Sequence, residues 1–119
     1  MPSPPEIFEV RLLTPDGQHS TQAQQIKVRS EEHIWDAAFA SGITLPALCH
    51  QGRCLTCAAR LEEGSVDQSD SVSYYPEDRE AGFILPCTGK PTSDLTIRTH
   101  QAADMRAYRK QKNLPAPYS

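Results

Sequence analysis

The stretch LCHQGRCLTCAA, residues 48–59, places Cys49, Cys54 and Cys57 within nine residues, in the spacing C-x4-C-x2-C. The fourth cysteine of the chain, Cys87, follows after 29 intervening residues. Four soft thiolates suit a metal, because zinc and the irons of an iron–sulfur cluster both take tetrahedral sulfur coordination. Disulfides are the plain alternative, but nothing in the chain points to an oxidising compartment. A zinc-stabilised binding domain usually presents two short knuckles, each a C-x2-C pair. The three-plus-one arrangement instead suits a long loop wrapped around two metals and their bridging sulfides, a 2Fe-2S cluster.

Such a cluster carries net negative charge, so its loop has to aim N–H groups inward. Gly52 can take backbone conformations closed to other residues, which lets neighbouring amides reach sulfur, and Thr56 can add a hydroxyl donor. Each such hydrogen bond favours the more negative, reduced state and raises the potential.

The rest of the composition narrows the function. A chain of 119 residues with 38% hydrophobic residues makes one modest core, to which a metal centre would add stability. The formal charge of -3 gives no general basic field for a nucleic acid backbone. No apolar run approaches the roughly 20 residues that span a bilayer, so no membrane insertion is expected, and MPSPPEIFEV lacks the pattern of a secretory signal.

The proline-rich residues 1–5 read as a flexible lead-in. Phe8, Val10 and Leu12 alternate in one strand and Ile26 and Val28 in a second, joined through Asp16-Gly17 as a hairpin. Ser30 as N-cap, Glu31 and Glu32 in a first turn and Gly42 as a stop predict the main helix at about 31–41. Its apolar face takes in Ile34, Ala37 and Ala38, with Trp35 as core packing. AARLEEGSV reads as a strand ending at Gly64, PEDREAGF as a short helix opening on Pro76, and DLTIRTH as a late strand. Beyond His100, QAADMRAYRKQKNL has helix-forming composition but a thin apolar stripe of Met105, Tyr108 and Leu114.

DAAFASGITLPALCHQGRCLTCAARLEEGSVDQSD, then EAGFILPC and PTSDLTIRTH, resemble the plant-type ferredoxins of photosynthetic organisms across nearly all of residues 6–101. The resemblance implies an α+β protein with the β-grasp (ubiquitin-like) ferredoxin fold: a mixed sheet, a helix across it and a surface loop around one 2Fe-2S cluster. It implies Cys49 and Cys54 as ligands of one iron, and Cys57 and Cys87 as ligands of the other. It also implies a one-electron carrier, monomeric and without side-chain catalysis, in the cytoplasm of a cyanobacterium or in the plastid stroma. A redox-sensing interaction module is the alternative use of the same cluster.

Departures from the family pattern fall beside the ligands and on the docking surface. Leu48, His50 and Arg53 stand where typical members carry a serine, an arginine and a small residue. The aromatic used for reductase interaction falls on Ser73, with Glu77, Asp78 and Glu80 the remaining acids nearby, and a docking glutamate falls on Ala102. These changes lead to three expectations: weak docking to the NADP reductase, transient electrostatic complexes with other redox partners, and a potential less negative than that of the main photosynthetic ferredoxin. The chain divides into the lead-in at 1–5, a ferredoxin domain at 6–103 and a basic extension at 104–119, resembling the C-terminally extended ferredoxins of cyanobacteria and plastids. From Arg98 onward Arg98, Arg106, Arg109, Lys110 and Lys112 face the single acidic side chain of Asp104.

Overall fold

The computed structural model describes residues 6–15, 21–47, 51 and 55–116. The lead-in and the expected turn at Asp16-Gly17 lie outside the described residues, as do Leu48, Cys49, His50, Gly52, Arg53 and Cys54. Strands β1 (Ile7–Pro15) and β2 (Thr21–Arg29) pair antiparallel, with Phe8 opposite Val28 and Val10 opposite Ile26. Their period-2 alternation sends Val10, Leu12 and Val28 fully inside, while Glu9, Arg11 and Lys27 face solvent.

The chain continues through α1 (Ile34–Ala40), β3 (Ala59–Glu63), β4 (Val66–Asp67) and α2 (Pro76–Glu80). It ends with β5 (Phe83–Ile84), β6 (Lys90–Pro91), β7 (Leu95–Arg98) and α3 (Ala102–Gln111). Among the described residues, one sheet runs in the order β2-β1-β7-β3-β5, and β4 and β6 form a small separate ladder. The central pair is parallel, with Val10 beside Leu95 and Leu12 beside Ile97, and the other neighbours are antiparallel. Ile34, Ala37 and Ala38 of α1 pack on Val10, Leu12 and Ile97 from this sheet. That is the mixed sheet with a crossing helix of the β-grasp. Among the described residues no helix is long and apolar enough to cross a membrane.

The main helix is shorter than the sequence predicts, spanning 34–40 instead of 31–41. The Ser30 N–H donates to the Glu6 carbonyl at 2.8 Å, and Glu32 Oε1 accepts the Arg29 N–H at 3.0 Å, so residues 30–32 form a turn. The helix opens instead at His33, which makes no side-chain cap bond. Carbonyls on either side of Cys87 cap it: the Ile34 N–H donates to Gly89 at 2.9 Å and the Trp35 N–H to Pro86 at 2.9 Å. The expected stop holds, with Gly42 at φ +86°.

Trp35 donates its indole N–H to the Leu45 carbonyl at 2.8 Å and packs against both core clusters, as expected of a core aromatic. Phe39, stacked on it at 5.4 Å, stays outside. The short helix α2 opens on Pro76, and Asp78 Oδ2 accepts the Tyr75 N–H at 2.9 Å. Helix α3 departs most from expectation. It buries Arg109 as completely as Met105, although the sequence reads Arg109 as one cation of a basic tail.

Candidate functional site

Cys57 lies in the tight turn that the Ala58 N–H closes on the Leu55 carbonyl at 3.1 Å, just before β3, and Cys87 lies in the turn after β5. Pairing of β3 with β5, Ala59 opposite Ile84, brings these two turns side by side. The Sγ atoms of Cys57 and Cys87 approach to 3.0 Å, and both residues are buried. A second hydrophobic cluster surrounds them, built from Leu55, Ala58, Phe83, Leu85 and Met105. Leu55 is 1% exposed yet holds φ +68°, a left-handed conformation that costs a branched side chain energy and persists because its burial fixes it.

Hydrogen bonds from several elements hold the Cys87 turn. The buried Gln68 amide accepts the Leu85 N–H at 2.7 Å and donates to Ser71 Oγ at 2.8 Å and to the Leu85 carbonyl at 3.3 Å. Ser71 and Thr88 hydroxyls meet at 2.7 Å, and the Val72 N–H reaches the Gln51 carbonyl of the cysteine loop at 2.8 Å. On the same segment, His33 Nε2 and Lys90 Nζ each lie 2.9 Å from Asp70 Oδ2. The hydrogen bond from His33, and then that from Lys90, hold the Asp70 carboxyl below the usual carboxylate range.

Helix α3 closes another side. The Gln101 N–H donates to the Ala58 carbonyl at 2.9 Å, Met105 packs fully buried in the cluster that contains Cys57 and Cys87, and Arg106 Nη2 donates to Thr56 Oγ1 at 3.0 Å. Arg109 donates from Nε to Asp78 Oδ1 at 3.2 Å and from Nη2 to Asp78 Oδ2 at 2.7 Å. It also donates to the Ser73 carbonyl at 2.7 Å and the Pro115 carbonyl at 3.1 Å, and its guanidinium sits 4.8 Å from the Tyr75 ring. The Tyr108 hydroxyl donates to the Glu77 carbonyl at 2.9 Å.

The donor chemistry fits a thiophilic metal group. Two soft sulfur donors converge at one buried point, and among the described residues no set of three or more His, Cys, Asp or Glu side chains stands ready to hold an ion. A metal group held by these two sulfurs would draw its further ligands from outside the described residues, where the sequence offers Cys49 and Cys54. The family model described as a 2Fe-2S iron-sulfur cluster binding domain matches residues 14–92, a span that contains all four cysteines.

Ferredoxin-2 of Synechococcus sp. is 42% identical over 86 residues, covering 72% of this chain and 82% of that protein. The chain belongs to the plant-type 2Fe-2S ferredoxins. It is a cluster-binding electron carrier and not an enzyme. Chloroplastic ferredoxin-6 of Zea mays is 34% identical over 100 residues, 83% of this chain and 61% of that protein, so this ferredoxin has both cyanobacterial and plastid relatives. Among solved structures, pectocin M2 matches with TM-score 0.70 and 33% identity over 81% of this chain, which spans only 33% of that longer chain.

Of the sequence-expected site residues, the structure brings Cys57, Thr56 and Cys87 into one neighbourhood. Gln68, Met105 and Arg106 also belong to it, and the sequence alone does not mark them as site residues. For α3 a signal existed: Met105 and Arg109 are four residues apart and share a helix face, but a charged residue on a thin apolar stripe reads as solvated.

Proposed function

We propose that Cys49, Cys54, Cys57 and Cys87 hold one 2Fe-2S cluster, Cys49 and Cys54 on one iron and Cys57 and Cys87 on the other. The convergence of the Cys57 and Cys87 thiols at 3.0 Å supports the second pair. When bound, the cluster supplies reversible one-electron chemistry. The chain's own residues then bury two of the sulfurs, fix the turns that carry them and present the site to a partner.

That partner is one other than the standard ferredoxin–NADP reductase. The observation that carries this reading is the burial of Asp78. Of the three acids that the sequence leaves in the reductase-docking segment, Asp78 is 0% exposed and satisfied by Arg109, so it adds nothing to the surface potential. Glu77 and Glu80 remain, and Arg79 stands exposed between them in sequence. Ala102, where the family pattern has a docking glutamate, begins a helix that carries Arg106, Lys110 and, just past its end, Lys112. Weakened acidity lowers complementarity to a basic reductase face, and nearby cations favour a less negative potential. The site of action is the cyanobacterial cytoplasm or the plastid stroma.

Titration of the protein with ferredoxin–NADP reductase at moderate salt tests the partner reading. The expected result is weak binding with slow electron exchange. Affinity equal to that of a main photosynthetic ferredoxin contradicts it. Slow exchange with every candidate reductase, together with partner binding that changes on oxidation, points instead to a redox-sensing module.

A further inference from the structure

Helix α3 lies beyond the 14–92 span of the family match, yet it forms one wall of the neighbourhood around Cys57 and Cys87. Three features make it a fixed wall. Its start is tied to the strand side of the cysteine turn through the Gln101 N–H and the Ala58 carbonyl. Its middle inserts Met105, 0% exposed, into the hydrophobic cluster that contains both cysteines. Its far end is clamped by Arg109, 0% exposed, on Asp78, 0% exposed, and lifting the helix would break this buried bidentate pair.

Arg106 projects from this wall to Thr56, the residue immediately before Cys57. A hydroxyl has one hydrogen to give and two lone pairs to receive with. A guanidinium only donates, so at 3.0 Å it occupies an acceptor position of Thr56 Oγ1, and the hydroxyl's own hydrogen goes to an acceptor other than Arg106. Donation from a cation also polarises the O–H and strengthens the bond it makes next. Thr56 is the hydroxyl donor that the loop sequence offers to cluster sulfur, and donors to sulfur raise a cluster's potential.

We propose that Arg106 is a positioning residue of the electron-transfer site: held by α3, it orients and polarises the Thr56 hydroxyl and so raises the reduction potential of the cluster. This rests on the four-cysteine cluster proposed above. It assigns the C-terminal segment a role inside the site, separate from the choice of partner. The link runs between residues 50 positions apart in sequence.

The test uses the full chain and four variants: Arg106→Met, which keeps length but removes charge and donors; Arg106→Lys, which keeps the charge; Thr56→Val; and Arg106→Met with Thr56→Val. Midpoint potentials from spectroelectrochemistry are compared with the EPR signal of the reduced proteins and with thermal melts. The expected results are a shift of Arg106→Met to more negative potential with unchanged melting, partial recovery in Arg106→Lys, and a negative shift in Thr56→Val to which Arg106→Met adds little. An unchanged potential in Arg106→Met overturns the proposal. So does a shift of full size in the Thr56→Val background, which would make Arg106 an ordinary through-space charge. Wild-type protein without iron, sulfide or visible absorption contradicts the cluster reading itself and is told apart from failure of the Arg106 role at the first spectrum.

Discussion

Arg109 and Asp78, 31 residues apart in sequence, form a bidentate ion pair in which neither side chain is exposed to solvent. The pair joins α3 to α2, and it is reinforced by carbonyl acceptors at Ser73 and Pro115. Removal of one partner leaves the other as an uncompensated buried charge, with a typical cost of about 3–5 kcal/mol. Arg109→Ala and Asp78→Ala are therefore each expected to lose stability on that scale in denaturant titrations. The double change Arg109→Met with Asp78→Leu is expected to lose much less, because it removes both charges and keeps the volume. Single variants within 1 kcal/mol of wild type, on the order of a surface pair, would show that the pair does not hold the helix.

Deletion of residues 104–119 is expected to act on the fold as well as on partner choice, since it takes away Met105 and Arg109 together. The measurement is visible absorption on heating. Earlier loss of cluster colour than in the full chain is the expected outcome, and an identical melt would make α3 a mere appendage.

Gln68 supports the turn that carries Cys87 through the Leu85 N–H. Gln68→Ala leaves that buried N–H without this acceptor, at a cost of about 1–3 kcal/mol. Faster bleaching by an iron chelator is expected in the variant, because the turn loosens on the side of Cys87. An unchanged bleaching rate with lowered stability would place Gln68 in the fold alone.

At Gly64, φ is +97° and an added Cβ would lie 2.2 Å from the Asp94 carbonyl oxygen and 2.7 Å from Leu95 Cδ2. Gly64→Ala thus meets both a backbone clash and an unfavourable dihedral, and a loss of more than about 1 kcal/mol is expected in thermal or denaturant unfolding. A neutral substitution would mean that the β3–β4 turn readily rearranges.

Burial pushes the Tyr74 phenol up to about 12, and its hydroxyl donates to the Phe83 carbonyl. An unfolded tyrosine ionises at about 10. The folded protein therefore holds this proton more tightly, so the contribution to stability is full below about pH 10 and declines as pH rises from there toward 12. A difference titration of phenolate absorbance between wild type and Tyr74→Phe should show one group titrating near 12, and titration near 10 would contradict the burial.

Much of this architecture is legible in the sequence because the relevant physics is local. Alternation at Val10, Leu12, Ile26 and Val28, the stop at Gly42 and the Pro76 start each depend on a few neighbouring residues. The start of α1 was not legible, because its first N–H groups are capped by Pro86 and Gly89 from a distant turn. Nor was the inward turn of Arg109, whose partner Asp78 reads as one more surface acid until the fold brings the two together. The cysteine spacing pointed to the cluster, and the structure adds the buried neighbours of Cys57 and Cys87. Leu48, His50, Gly52 and Arg53 lie outside the described residues, so their expected influence on the cluster rests on the sequence.

The central claim is that four cysteines hold one 2Fe-2S cluster that carries a single electron. A reductive titration of freshly prepared protein, with iron and acid-labile sulfide measured on the same sample, tests it most directly. The account predicts two irons and two sulfides per chain, red-brown absorption that bleaches on uptake of one electron, and one unpaired spin per chain by EPR. Colourless protein containing zinc, or a coloured protein that takes up no electron, would contradict it.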